Sequence, residues 1–109
     1  MKKGILFLVM LTLLLVMFGC SNEVQQFRDG ELKYEGTVNS EGIREGKGKW
    51  YQNGILVYEG EYRDDYPNGK GIMYDSITGK KSSEGEYEDS YLIKGVTYDD
   101  NGENPTPYP

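Results

Sequence analysis

The chain has no histidine, one cysteine and one tryptophan among its 109 residues. Without an imidazole, the common nucleophile–base pairs of serine or cysteine with histidine cannot be assembled. A single cysteine, Cys20, rules out an intramolecular disulfide. Positive charge is scarce as well. From Cys20 onward the chain carries 10 basic and 18 acidic residues, a net charge of −8. That balance argues against a nucleic-acid partner, whose phosphates would repel it. It argues equally against adsorption of this part onto anionic lipid headgroups. Long apolar runs are absent after residue 20.

Before residue 20 the picture reverses. "MKKG" is a short basic start, and "ILFLVMLTLLLVMF" is an apolar run of fourteen residues. Polar sequence, "SNEVQQ", resumes directly after Cys20. Basic, apolar and small-residue segments in that order read as a signal peptide. A retained membrane helix is the alternative, and it would want about 20 apolar residues. "MFGC" is similar to a bacterial lipoprotein lipobox, although Met17 stands where that family prefers leucine and Phe18 is bulky for its place. The resemblance implies a diacylglyceryl thioether on Cys20, cleavage after Gly19, and a protein held at the extracytoplasmic face of a cell membrane. Two acyl chains anchor stably where one does not.

The remainder repeats itself. "GELKYEG", "GILVYEG" and "GKKSSEG" each place two glycines six residues apart, and the first glycines, Gly30, Gly54 and Gly79, step by 24 and 25 residues. "EGKGKWYQNG" and "NGKGIMYDSITG" form a second set, with "IKGVTYDDNG" as a weaker third copy in which Ile93 replaces a glycine. A period of this length holds two strands and two turns. "QNGI" and "SITGK" read as the tight connections, Asn-Gly suiting a two-residue hairpin. "NSEGIRE", "RDDYPN" and "EDSYL" read as longer loops. The expected architecture is all-β: an elongated, single-layer antiparallel meander of about six strands, preceded by a hydrophobic signal helix.

Side chains alternate along a strand. On one strand Leu56, Tyr58, Gly60 and Tyr62 share a face, and on another Gly46, Gly48 and Trp50 do. Glycines and large aromatics therefore lie on the same side, where a ring on one strand can cover a glycine on the next. The other side carries Lys47, Lys49, Tyr51, Val57, Glu59, Glu61 and Arg63.

"YEGEYRDDYPNGKGIMYDSITGK" resembles a MORN repeat: aromatic-x-Gly-x-aromatic, a turn, then Gly-x-Gly and an aromatic. The likeness runs from Gly30 to about Gly102, with copies near 32–56, 57–81 and 82–102. It departs from the pattern at Thr37, Val38, Ser83 and Ile93. It implies a twisted sheet of hairpins and a scaffold or interaction role more than catalysis. It supplies no partner.

"NGKGIM" lacks the spacing and the helix of a phosphate-binding loop. Glu59, Glu61, Glu84 and Glu86 are a candidate carboxylate set for a hydrolase, but charges recurring with the repeat mark a solvated face. "YDDNGEN" places its glycine too early for a calcium loop. No cofactor and no metal site is expected. The structural glycines are Gly36, Gly46, Gly48, Gly60, Gly69, Gly71, Gly85 and Gly95. Tyr34, Trp50, Tyr58, Tyr62 and Tyr87 are the candidates for partner contact, with packing as their main role.

The domain reading is a signal peptide over 1–19, an anchor cysteine and short tether over 20–29, a repeat domain over 30–102, and a Pro-rich mobile tail over 103–109. The function expected is a membrane-anchored, non-catalytic module for an unknown extracytoplasmic protein. An immunity-like inhibitor of a basic toxin and a small hydrolase are the alternatives. Self-association through sheet edges is left open.

Overall fold

The computed structural model describes residues 22–109. The expected signal helix and Cys20 lie outside the described residues. Eight strands form one antiparallel sheet in sequence order: β1 (Glu23–Arg28), β2 (Glu31–Val38), β3 (Arg44–Gln52), β4 (Ile55–Arg63), β5 (Tyr66–Tyr74), β6 (Lys81–Glu88), β7 (Tyr91–Thr97) and β8 (Thr106–Tyr108). The expectation of about six strands was an undercount. Residues 23–28 were expected as tether, yet they pair with β2 from Glu23↔Thr37 to Arg28↔Glu31. The tail expected to be mobile adds β8, with Thr106, Pro107 and Tyr108 opposite Thr97, Val96 and Gly95. Proline is tolerated there because β8 is an edge strand whose outer side needs no ladder donor.

The connections also differ from expectation. "RDDY" and "EDSY" are two-residue turns, with Asp64 and Asp65 at φ 52 and 77 and Asp89 and Ser90 at φ 47 and 77. Positive φ at both central residues matches the strand twist, and Asp tolerates it through local hydrogen bonding. Asn53 and Gly54 make the same turn, as read from the sequence. "SITGK" belongs instead to a longer loop between Tyr74 and Lys81. There Asp75 Oδ1 accepts from the Ile77 and Thr78 amides at 2.7 and 2.8 Å. Asn39 and Asp99 hold the 39–43 and 98–105 loops by the same carboxylate- or amide-to-backbone device.

Six glycines stand opposite one another in a single row across β2 to β7: Gly36, Gly48, Gly60, Gly71, Gly85 and Gly95. The row explains why glycine interrupts each strand. Tyr34 on β2 lies across Gly48 on β3, where a Cβ would stand 2.5 Å from the ring's Cε1 and 2.6 Å from Cζ. Past that glycine the Tyr34 ring meets Tyr62 on β4, edge to face at 5.2 Å. Tyr58 repeats the move, crossing Gly71 on β5 to reach Tyr87 on β6 at 5.6 Å. Tyr58 and Tyr62 meet at 5.4 Å within one copy. The four rings form a continuous zigzag that joins all three repeats, each contact contributing about 1 kcal/mol beyond its buried area. Val24 and Val38 complete the buried cluster, and Trp50, Met73 and Leu92 pack on it. No second layer covers the sheet among the described residues.

The phenols serve the backbone too. Tyr34 donates to the Thr37 carbonyl at 2.7 Å, and Tyr58 donates to the Glu61 carbonyl at 2.8 Å. Both acceptors sit where the ladder to the next strand is interrupted, between Gly36 and Val38 and between Gly60 and Tyr62. Each phenol thus takes a carbonyl that the ladder leaves over. Tyr62 has no such partner: its hydroxyl is buried and unpaired. Tyr58→Phe should therefore cost about 1–2 kcal/mol in urea unfolding. Tyr62→Phe should be neutral or stabilising, since it removes a buried polar atom that bonds to nothing. Equal losses for the two would contradict this assignment.

Candidate functional site

Four of the five aromatics proposed from sequence for partner contact are closed to solvent. Tyr34 and Tyr58 are 0 % exposed, Tyr87 3 % and Tyr62 4 %. They are withdrawn as contact residues, because the neighbouring rings and glycines already occupy their faces. Trp50 is partly buried against the same cluster. Of the proposed structural glycines, six form the row. Gly46 and Gly69 sit at the starts of the second strands, where Gly69 has φ +93 and a Cβ would run into the Glu61 carboxylate. Glu61 Oε1 in turn accepts from the Lys70 amide at 2.7 Å.

Burial sets the chemistry of the tyrosine face. It pushes the Tyr34 phenol up to about 12, opposed in part by the Arg44 guanidinium, which lies 4.6 Å above its ring. Burial raises Tyr58, Tyr62 and Tyr87 as well. These phenols stay protonated near neutral pH.

The opposite face is open and charged. Its sign alternates strand by strand: Glu35 on β2, Lys47 and Lys49 on β3, Glu59 and Glu61 on β4, Lys70 on β5, Glu84 and Glu86 on β6, Lys94 on β7. Directly opposed pairs include Glu35↔Lys49, Lys49↔Glu59, Lys47↔Glu61 and Glu86↔Lys94. Opposite charges across a ladder stabilise the pairing of neighbouring strands. The pattern was legible as Glu-Gly-Glu strands alternating with Lys-Gly strands, and the sequence reading missed it.

The residues of the central row all face the tyrosine side, so on this side bare backbone lies between the two flanking rows of side chains and forms a trough. It consists of two adjoining hollows of about 750 and 500 Å³, the first over β1–β4 and the second over β4–β7, with Glu59 at their junction. Several carboxylates are held by neighbours. Tyr74 donates to Glu59 at 2.6 Å, and Tyr98 donates to Glu84 at 2.8 Å. The Tyr98 hydroxyl, helped by Lys81, lowers the Glu84 carboxyl below its ordinary value. Among the described residues no cluster of acidic side chains is arranged to hold a metal ion.

A third surface, missed from sequence, lies at the end of the sheet where β1 begins. Arg44 and Asp65 exchange two hydrogen bonds there, amide to carboxylate at 2.8 Å and amide to carbonyl at 3.0 Å. Asn68 is 6 % exposed. It accepts from the Asp89 amide at 3.1 Å and donates to the Asp89 carboxylate at 3.3 Å. These bonds tie successive turns into one rim. From it project Tyr66 and Tyr91, 56 % and 76 % exposed, each following an acidic turn. No sequence signal separates these two tyrosines from the buried ones except their place directly after a two-residue turn.

No protein-family model matches the chain, and neither curated proteins nor solved structures give a match to it.

The raised phenols make a linkage prediction. A group whose folded pKa exceeds its unfolded value contributes stability that is complete below the unfolded pKa and lost as pH rises. For Tyr34 that window opens at its ordinary 10.0 and runs to about 12. Circular dichroism should therefore be lost across that range together with the part of the tyrosinate absorbance that belongs to the buried rings, as one cooperative unfolding. Ionisation of all ten tyrosines with the fold intact would contradict the buried zigzag.

Proposed function

We propose that the chain is an extracytoplasmic lipoprotein, anchored through Cys20, whose MORN-like sheet is a non-catalytic protein-binding module. The observation that carries this reading is the pair Tyr66 and Tyr91, large rings left exposed at equivalent places on one end of the sheet. Exposed aromatics beside polar residues are characteristic of protein-contact surfaces. The first described residue, Asn22, lies at this same end, its carbonyl accepting from Val38 at 3.0 Å. An anchor at Cys20 would thus keep the tyrosine rim close to the membrane, facing other surface proteins. The commitment of Glu59 and Glu84 to tyrosine hydroxyls weighs against a repeat-carboxylate hydrolase.

A second reading is a charge-masking inhibitor of a basic protein. Glu41, Asp64, Asp65, Glu88 and Asp89 lie exposed on or beside the turns of the same rim, which favours it. Salt separates the two: a masking complex weakens steeply with ionic strength, and an aromatic contact does not.

Crosslinking of the tagged full-length protein in intact cells tests the proposal, beside Cys20→Ala and Tyr66→Ala/Tyr91→Ala. One specific partner should be captured and should disappear in the tyrosine variant while the fold and membrane fraction are kept. A partner retained by that variant would overturn the assignment of the rim. A Cys20→Ala protein that stays in the membrane fraction after signal removal would overturn the anchor.

A further inference from the structure

The two edges of the sheet are built differently. At the C-terminal edge Thr106, Pro107 and Tyr108 stand opposite Thr97, Val96 and Gly95. Pro107 has no N–H, so Thr106 and Tyr108 bond to β7 and Pro107 faces outward. Pro105 and Pro109 continue the same phase. This tail therefore offers no outward N–H to an added strand. Further along, the β7 edge is broken at Ile93, an extra residue between the pairs Tyr87↔Leu92 and Glu86↔Lys94. A bulge of this kind turns an edge away from partners.

The β1 edge carries none of these guards. Its sequence, EVQQFR, holds no proline, glycine or lysine, and its charges, Glu23 and Arg28, cancel. The irregularity beside it puts the extra residue, Lys33, on β2, so β1 itself runs regularly. The Asn22 carbonyl accepts from Val38 at 3.0 Å, so Asn22 bonds toward β2. Alternation then turns the N–H and C=O groups of Glu23, Gln25 and Phe27 outward. Val24 belongs to the buried tyrosine cluster, and Gln26 on the same face accepts from Arg44 at 3.1 Å.

We infer that this edge docks β1 of a second copy of the chain, antiparallel, about a two-fold axis through Gln25 perpendicular to the sheet. Outward-bonding residues pair with outward-bonding residues. Glu23 of one copy then stands opposite Phe27 of the other, and Gln25 opposite Gln25. Every outward group of these residues finds a partner. Val24 of one copy meets Gln26 of the other on the tyrosine face, which continues the buried cluster past its end at Val24. Moving the axis to Gln26 would set Glu23 against Asp29, like charge against like. Moving it to Val24 would leave Phe27 beyond the other copy's strand. The chain carries −8 from Cys20 onward and repels its own copies, except where charge cancels locally, as it does along β1. The same neutrality leaves no charge to select a foreign strand, whereas a second copy brings matched length and a complete set of bonds. Head-to-tail stacking would need a second open edge, and the prolines close it. The contact is therefore isologous and stops at two copies. It rests on the edge strands and on neither the anchor nor the tyrosine rim.

The test uses the full-length protein in density-matched detergent. Sedimentation equilibrium should show a concentration-dependent dimer and no larger species. Gln25→Pro removes an N–H that β2 does not use. The urea transition should be kept, and the dimer dissociation constant should rise at least about tenfold. In a Cys20→Ser background, Gln25→Cys should form an intermolecular disulfide, since hydrogen-bonded antiparallel pairs stand about 5.5 Å apart at Cα. Thr106→Cys, on the guarded edge, should form none. In the unaltered protein, amide exchange at Glu23, Gln25 and Phe27 should slow as concentration rises, while Val24 and Gln26 exchange slowly throughout. That readout needs no variant. The inference is overturned by a monomer at every concentration, by a dimer that survives Gln25→Pro, by crosslinking through Thr106→Cys, or by outward amides that exchange as fast in concentrated as in dilute protein.

Discussion

A tyrosine ring that lies across a neighbouring strand and touches a ring two strands away needs that strand to carry no side chain at the crossing. This steric condition organises the whole sheet. Tyr34 meets Tyr62 over Gly48, and Tyr58 meets Tyr87 over Gly71. A one-layer sheet has no second element to pack against, so its core must come from its own face. Laying rings flat on the backbone does this with few residues. It joins copies of the repeat to one another, where each copy alone would bury too little to stand. The third copy shows the limit of the device. Ser83 stands where Tyr34 and Tyr58 stand in the others, and it bonds Tyr87 at 2.6 Å in place of sending out a ring.

The second face is what alternation leaves. The row's residues face the rings, so on the other side bare backbone lies between two flanking rows of side chains and forms the trough. Most of the flanking positions carry charge, with Ile72 and Val96 as the apolar exceptions beside Gly71 and Gly95. Their alternation of sign from strand to strand sets unlike charges across each ladder, which favours the pairing of neighbouring strands. The core therefore follows from one row of residues, and the surfaces available for binding are what that core leaves exposed.

Much of this was legible in the sequence. The spacing of Gly36, Gly60 and Gly85 gave the period, and alternation put Tyr58 and Gly60 on one face. What the spacing could not show was that these rings reach across a strand and so close over one another, leaving none of the four for a partner. β1 and β8 were missed because each lacks the glycine-aromatic pair: Val24 stands in the glycine row of β1, and β8 is three residues flanked by prolines. The turns at Asp64–Asp65 and Asp89–Ser90 carry no glycine to mark them as two-residue turns in the sequence. Their positive φ is supported by Arg44 and Asn68, which are remote in sequence. The rim tyrosines were hidden among ten residues of one kind, distinguished only by position after a turn.

The measurement that tests the central claim most directly is a double-mutant cycle between Gly48→Ala and Tyr34→Ser, read by urea unfolding. Gly48→Ala alone should destabilise by about 1–3 kcal/mol, because the new methyl group enters the space of the Tyr34 ring. With Tyr34→Ser, which copies the side chain found at Ser83, the ring is gone and the alanine should be tolerated. The two changes should then be coupled by more than about 1 kcal/mol. Additive losses would mean that Gly48 is needed for some reason other than the ring that crosses it, and the account of the sheet would fail at its base.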